Sequence, residues 1–363
     1  MALCLTTMTA AAITAFLPRF LLTLSLTLGL LACGGGGDAS PPTNTEPASI
    51  ASVAVTIPPS SYAPSSAELG GYKTLQTARV LCGFGALRQD THLDAAALNH
   101  ARYLTSESIA TGASLLSHLE TNRANSSYKG YAPWDRTRHP SQFYGDQVAE
   151  ILESTTWDYD VANPPVFPTL EQRGTSSMIN LLNTVYHLQG ALFDGLDVGF
   201  GADLRTVVNG TSRREEYRFG SLNGFQTQYQ IFGAGQVATY PCQGSANVPT
   251  LFAPAYESPN PFPSMTSTLQ VVGPPIYIKA DAGQVLTLTS SSISSAGVAV
   301  PTTVLTQAND PARDSRGNPF IGRHEAFVVP TVALAPNTVY QVSLAGTVNG
   351  WAFNRSFTLR TEP

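Results

Sequence analysis

Six histidines hold much of the chemical potential of this 363-residue chain. An imidazole titrates near neutrality, transfers protons and ligates metals. Four of the six sit in ordinary surroundings. His92 and His100 lie on or beside the buried face of a periodic helix, His139 precedes Pro140, and His324 stands in β-rich sequence. Each of these reads as a structural or surface ring. His118 and His187 stand apart by their neighbours: His118 follows Leu115-Leu116-Ser117 just past a helix, and His187 closes Asn183-Thr184-Val185-Tyr186-His187. Glu150, in Ala149-Glu150-Ile151, is a carboxylate in an apolar context. No His-Glu-x-x-His motif forces a metalloprotease. No Gly-x-Ser-x-Gly elbow presents a serine nucleophile, and no local motif makes Cys82 one.

The cysteines say where the chain works. Cys33 closes Leu30-Leu31-Ala32-Cys33, directly behind an apolar run from Phe20 to Leu31 that follows Arg19. A basic residue, a short apolar stretch and a small residue describe a secretory signal, with Met8 as an alternative start. The run is shorter than the roughly 20 residues that span a bilayer. Cys33 at the first mature position resembles the lipobox of bacterial lipoproteins. That likeness implies diacylation (palmitate-class chains) through its sulfur and a lipid-held protein outside the cytoplasm. Gly34 rather than Asp follows, which in that class implies the outer membrane of the cell envelope. Cys4 lies in the signal, so Cys82 and Cys242 remain. In an oxidising compartment two such cysteines pair; the alternative is two buried thiols. A bridge would close a loop of about 160 residues, contributing roughly 4–5 kcal/mol before strain.

Charge is sparse, 12% of residues with a net of −5, which excludes the basic footprint of nucleic-acid binding. The mature chain, about 330 residues, is long enough for two domains. Residues 1–32 read as signal peptide. Residues 33–64, rich in Gly, Ser, Thr and Pro, read as the lipidated Cys and a linker without a core. Leu75, Ala78 and Leu81 have helical spacing, stopped by Gly83 and Gly85. A second helix opens at Thr91, with Leu93, Ala96, Ala97, His100, Ala101 and Leu104 on one face. Residues 119–147 read as loop, Val148–Leu152 as a short apolar segment and Ser176–Phe193 as one helix. Val198–Val208 and Gln230–Tyr240 read as strands.

Past Cys242 the helical periodicity stops. Pro249, Pro254, Pro259, Pro261 and Pro263 mark a boundary. Short β-rich runs follow at 268–272, 275–279, 285–289, 326–332, 338–345 and 351–359, and Asn349-Gly350 is a hairpin turn. Such spacing predicts an all-β sandwich at 250–363. Leu334-Ala335-Pro336-Asn337-Thr338-Val339-Tyr340 and Phe357-Thr358-Leu359-Arg360-Thr361 resemble bacterial immunoglobulin-like domains.

Between about Gly71 and Tyr240 the order of motifs resembles the CAP superfamily (cysteine-rich secretory, antigen 5 and pathogenesis-related proteins) in its bacterial branch. The resemblance is carried by Leu93-Asp94-Ala95-Ala96-Ala97 with His100-Ala101, then Ser117-His118, then Tyr131-Ala132-Pro133-Trp134-Asp135-Arg136. It continues through Glu150, Val185-Tyr186-His187 and Asp197-Val198-Gly199-Phe200-Gly201. It implies an α+β chain: an α-β-α sandwich at 65–245, then the immunoglobulin-like sandwich. It also implies a cleft where His118, Glu150 and His187 meet. The family's second acid has no secure counterpart; Glu171, in a proline-flanked loop, is the weak candidate.

Two neutral imidazoles and a carboxylate can hold Zn2+ or another divalent metal with one position open, and such a metal can activate water. The alternative is that these side chains bond one another and stiffen a cleft, with no cofactor required. Asp135 and Arg136 read as fixing their own loop. The resulting expectation is an envelope-anchored binding module for a lipid, an envelope component or a partner. A metal-dependent hydrolase and a structural or adhesion surface protein are the alternatives.

Overall fold

The computed structural model describes residues 52–138, 143, 145, 147–225 and 228–363. The signal segment, Cys4, Cys33, the Gly-rich tether and His139 lie outside the described residues. The elements are α1 (Ala67–Leu81), β1 (Arg88–Gln89), α2 (Thr91–Thr111), α3 (Pro133–Arg138), β2 (Gln147–Asp160), α4 (Leu170–Leu182) and α5 (Tyr186–Ala191). Then come β3 (Asp197–Asn209), β4 (Ser212–Phe225), β5 (Ala238–Tyr240), β6 (Ser245–Val248), β7 (Ile276–Lys279) and β8 (Leu286–Ser295). The chain closes with β9 (Val298–Val300), β10 (Thr302–Thr306), β11 (Glu325–Pro330), β12 (Val339–Val348) and β13 (Trp351–Thr361). Among the described residues no helix is long and apolar enough to cross a membrane.

The first sheet has the order β1-β3-β4-β2. Helix α2 covers one face. It starts where the Asp90 carboxylate accepts the N–H groups of His92 and Leu93, and stops at Gly112, whose φ of 73° is the left-handed cap. Its predicted face of Leu93, Ala96, Ala97, His100, Ala101 and Leu104 is buried. The helix lies close because β3 offers Gly199 and Gly201 beneath it. A Cβ at either would collide with the α2 backbone at Leu93–Asp94 or Ala97–Leu98. Alternate residues Val198 and Phe200 face the other way, into a core shared with Tyr72 and Leu75 of α1, Leu181 of α4 and Leu188 of α5.

Three local expectations change. The short segment at 148–152 is the middle of a 14-residue strand, β2, paired with β4 from Gln147↔Phe225 to Asp160↔Ser212. The single helix expected over 176–193 is two, α4 and α5, and α4 begins at a Thr169–Gln172 capping box. The expected linker, mostly exposed over 52–65, touches the fold at points: Ser52 bridges Ile231, and Tyr62 sits against Tyr72 and Phe200.

The second sheet, β10-β11-β7-β5, and the third, β6-β13-β12-β8-β9, pack face to face. Ile276, Ile278, Ala326 and Val328 point into the core they share with Val342, Leu344, Phe353, Phe357 and Leu359 of the third sheet. Their neighbours Tyr277, Phe327 and Val329 point the opposite way, into the core that holds Phe84, Tyr186 and Leu188. The second sheet is therefore a middle layer, and every residue of β7 and β11 is buried.

This corrects the expected fold class. The chain is mostly β, with three sheets and five α-helices among the described residues. It is not an α-β-α sandwich followed by an immunoglobulin-like domain. Strands β5 and β6 precede the prolines, yet β5 pairs with β7, and β6 pairs in parallel with β13. The prolines do not end a core: Phe252 is buried and bridges Val272, and Glu257 is buried beside α5. A proline-rich stretch reads as a boundary only when its neighbours stay exposed.

Candidate functional site

Glu150 is the centre of a buried charged cluster on the α2 side of the first sheet. Its position on β2 pairs with Leu222, which packs on Leu93, Ala96 and Ala97, so its side chain leaves on the α2 face. A carboxylate there must be paired. Arg136 of α3 supplies the charge: its Nη2 donates to Oε1 at 2.7 Å and to Oε2 at 2.8 Å. The same guanidinium donates through Nη1 to the His118 carbonyl at 3.0 Å. His118 Nδ1 donates to Glu150 Oε2 at 2.7 Å. The turn that aims Arg136 is closed by Asp135, whose Oδ2 accepts the Ala132 N–H at 3.0 Å.

A second pair adjoins the first. His100 of α2 has Nδ1 2.9 Å from Glu120 Oε1, and its Nε2 donates to the Ser117 carbonyl at 2.8 Å. Arg136 Nε lies 3.6 Å from Glu120 Oε1, and His100 Nε2 lies 3.9 Å from Glu150 Oε2. Glu120 Oε2 accepts the Lys129 N–H at 2.8 Å. Two rings, two carboxylates and a guanidinium thus pin the segment 115–136 to α2 and β2. All five residues are buried, His118 being the most exposed at 4%.

The electrostatics follow from that packing. Burial alone would raise the Glu150 carboxyl, but Arg136, His100 and His118 outweigh it and hold the group well below the ordinary carboxylate range. Burial pushes the His118 ring below its ordinary value, against the pull of Glu150. The neutral ring then carries its proton on Nδ1, toward Glu150. Its Nε2 is buried without a hydrogen-bond partner among the protein atoms.

His187 is elsewhere. It opens α5, with Nδ1 2.9 Å from Thr184 Oγ1 and 3.4 Å from Glu257 Oε1. Glu257, from the proline-rich segment, accepts the N–H groups of Val185, Tyr186 and His187 at 3.0, 2.6 and 3.2 Å. That carboxylate starts the second helix and explains the break after Leu182. His187 also interacts with the buried Glu153, whose carboxyl is raised by burial. Glu150 and Glu153 lie three residues apart on a strand with no bulge, so they leave opposite faces of β2.

The structure therefore brings His118 and Glu150 together and places His187 on the far face. Glu171 is at the surface of α4, paired with Lys73 at 2.7 Å. Among the described residues no three His, Cys, Asp or Glu side chains converge to hold a metal. The donors that the resemblance assigned to one Zn2+ site are thus split between two faces, and no step through a metal follows. Sequence reasoning missed Glu120 and Glu257. The signal for Glu120 was its place two residues past His118; Glu257 carried none, being about 70 residues from the helix it caps.

Cys82 and Cys242 are joined, with Cα atoms 5.4 Å apart. The bridge ties the end of α1 to the turn between β5 and β6. No family model matches the chain, and no curated protein matches it.

Proposed function

We propose that this chain is an extracytoplasmic module, lipid-anchored at Cys33 to a bacterial envelope, that works by binding a lipid, an envelope component or a partner. One observation carries the choice of binding over reaction. Every charged group of the His118–Glu150–Arg136 cluster is buried, and Glu150 is engaged by two partners. Such a cluster braces the segment 115–136. The Cys82–Cys242 bridge supports the compartment, because disulfides persist where the surroundings oxidise. The motif order from Leu93 to Gly201 supports a distant relation to the CAP superfamily. A hydrolase would need His118 and His187 on one reacting centre, and no observation favours that.

The test is metabolic labelling with a palmitate analogue in a bacterial host. The wild type should be labelled and sediment with membranes, and Cys33→Ser should be unlabelled and released. An unlabelled wild type would overturn the anchor. A pull-down of envelope extract with residues 52–363 that retains neither lipid nor envelope component would overturn the binding role.

A further inference from the structure

Among the described residues, strand β2 is an edge of the first sheet along all its 14 residues. Just past its end, the Val161 N–H donates to the Thr211 carbonyl at 2.7 Å. Antiparallel ladders alternate, so Thr155, Trp157 and Tyr159 bond inward to β4, while Ser154, Thr156 and Asp158 turn both N–H and C=O outward. Among the described residues nothing hydrogen-bonds those six outward groups. Natural edges are blunted by proline, charged side chains or a bulge. Ser154–Asp160 has no proline and its register with β4 does not shift; its only charges are Asp158 and Asp160, which repel an acidic strand and not a basic one. Contacts on one face hold the strand in place. Arg173 lies 4.3 Å beneath the Trp157 ring, and Phe167 packs on Trp157 and Tyr159.

The side chains decide what would fit. Asp158 and Asp160 are exposed on one face, and neither has an ion pair among the described residues. The nearest cation in register, Arg214 opposite Asp158, is turned to Glu216 at 2.6 Å. A second copy of β2 paired antiparallel about Trp157 would gather four carboxylates on one face, with each Asp158 diagonal to its counterpart, and like charges that close repel. An incoming strand with cations on that face would pair with them instead.

We propose that the outer edge of β2 at 154–160 accepts an added strand from an extended polypeptide partner carrying lysine or arginine at alternate positions. The main chain of the partner completes the ladder at Ser154, Thr156 and Asp158, and its cations meet Asp158 and Asp160. The assignment is independent of the lipid anchor and of the buried cluster.

The probe is a short synthetic peptide alternating threonine with lysine, beside one alternating threonine with glutamate, measured by calorimetry on residues 52–363. The lysine peptide should bind the wild type. Thr156→Pro removes one outward N–H and no bond of the β2–β4 ladder, and should weaken binding about tenfold or more. The double variant Asp158→Lys/Asp160→Lys should lose the lysine peptide and gain the glutamate peptide. Where Thr156→Pro does not fold, amide hydrogen exchange of the wild type gives the same answer: the Ser154, Thr156 and Asp158 amides should slow when peptide is added. Absence of binding at about millimolar peptide, equal binding by a folded Thr156→Pro, or unchanged exchange under bound peptide would overturn the proposal. So would a wild-type dimer that Thr156→Pro abolishes, which would assign the edge to a second copy.

Discussion

At Glu150 a single carboxylate answers to a guanidinium and a ring in a site without water-facing surface. Removing one partner of such a pair leaves an uncompensated charge, which costs about 3–5 kcal/mol, whereas replacing both by apolar groups costs far less. Glu150→Gln should therefore lower the urea midpoint strongly, and Glu150→Leu/Arg136→Met should recover much of the loss at unchanged denaturant slope. The same cluster sets a pH dependence. Burial depresses the His118 ring below its ordinary 6.5, so the unfolded chain binds that proton first and stability falls as pH drops below about 6.5. Glu150, held below its ordinary 4.5, adds a further loss as pH falls through that value. Glu153 and Asp94 act in the opposite sense: burial raises their carboxyls, so the folded chain takes those protons first and gains stability as pH falls toward their ordinary values. Urea titrations at about pH 7 and about pH 5 should show a loss of stability in the wild type that is smaller in His118→Gln. An equal loss in both would remove His118 from the acid response.

At the scale of elements, the closest packing is between α2 and β3, where Gly199 and Gly201 let the helix backbone rest on the strand. Gly201→Ala should push α2 off the sheet and destabilise the protein by about 1–3 kcal/mol, read as a lower unfolding midpoint; an unchanged midpoint would show that the helix can shift freely. This helix was readable in the sequence because its apolar residues recur at three and four and its caps are local. The hairpin at Asn349-Gly350 was readable for the same reason: both residues take positive φ, as the turn requires. Strand β4 was not. Its Arg213-Arg214-Glu215-Glu216-Tyr217-Arg218 carries five charges in six residues, yet Glu216 and Arg218 are buried in a 2.8 Å ion pair. Arg218 Nη2 also donates to Ser108 Oγ at 2.7 Å, and Arg173 pairs with Glu215 at 2.9 Å. Those partners come from other elements, and local pattern carries no trace of them. The candidate site divides likewise. The order of motifs pointed to His118 and Glu150, but which face of β2 each acid takes depends on where the strand starts, and only the fold reveals that.

At the scale of the whole molecule, the second sheet decides how the chain folds. Polar residues of this sheet and of the loop after β10 also reach across to α5 and the turn that follows it. Lys279 pairs with Asp194 at 2.6 Å, Tyr186 donates to Asp310 at 2.6 Å, and Gln189 donates to Glu325 at 2.6 Å. Cutting the chain near residue 250 would leave Asp194 and Glu325 without these partners and would expose the apolar face of Tyr277, Phe327 and Val329. Each large apolar side chain returned to water forfeits about 1.5–3 kcal/mol of burial, against a total stability on the order of 5–15 kcal/mol for a typical protein. Residues 52–248 made alone should therefore lack a cooperative transition, and the same should hold for residues 250–363, which also lose β5 and β6. The intact chain should melt in one step with calorimetric and van't Hoff enthalpies that agree. Two resolved transitions, or a fragment that melts cooperatively, would show that the sheets fold as independent domains and that the middle layer is only a contact between them.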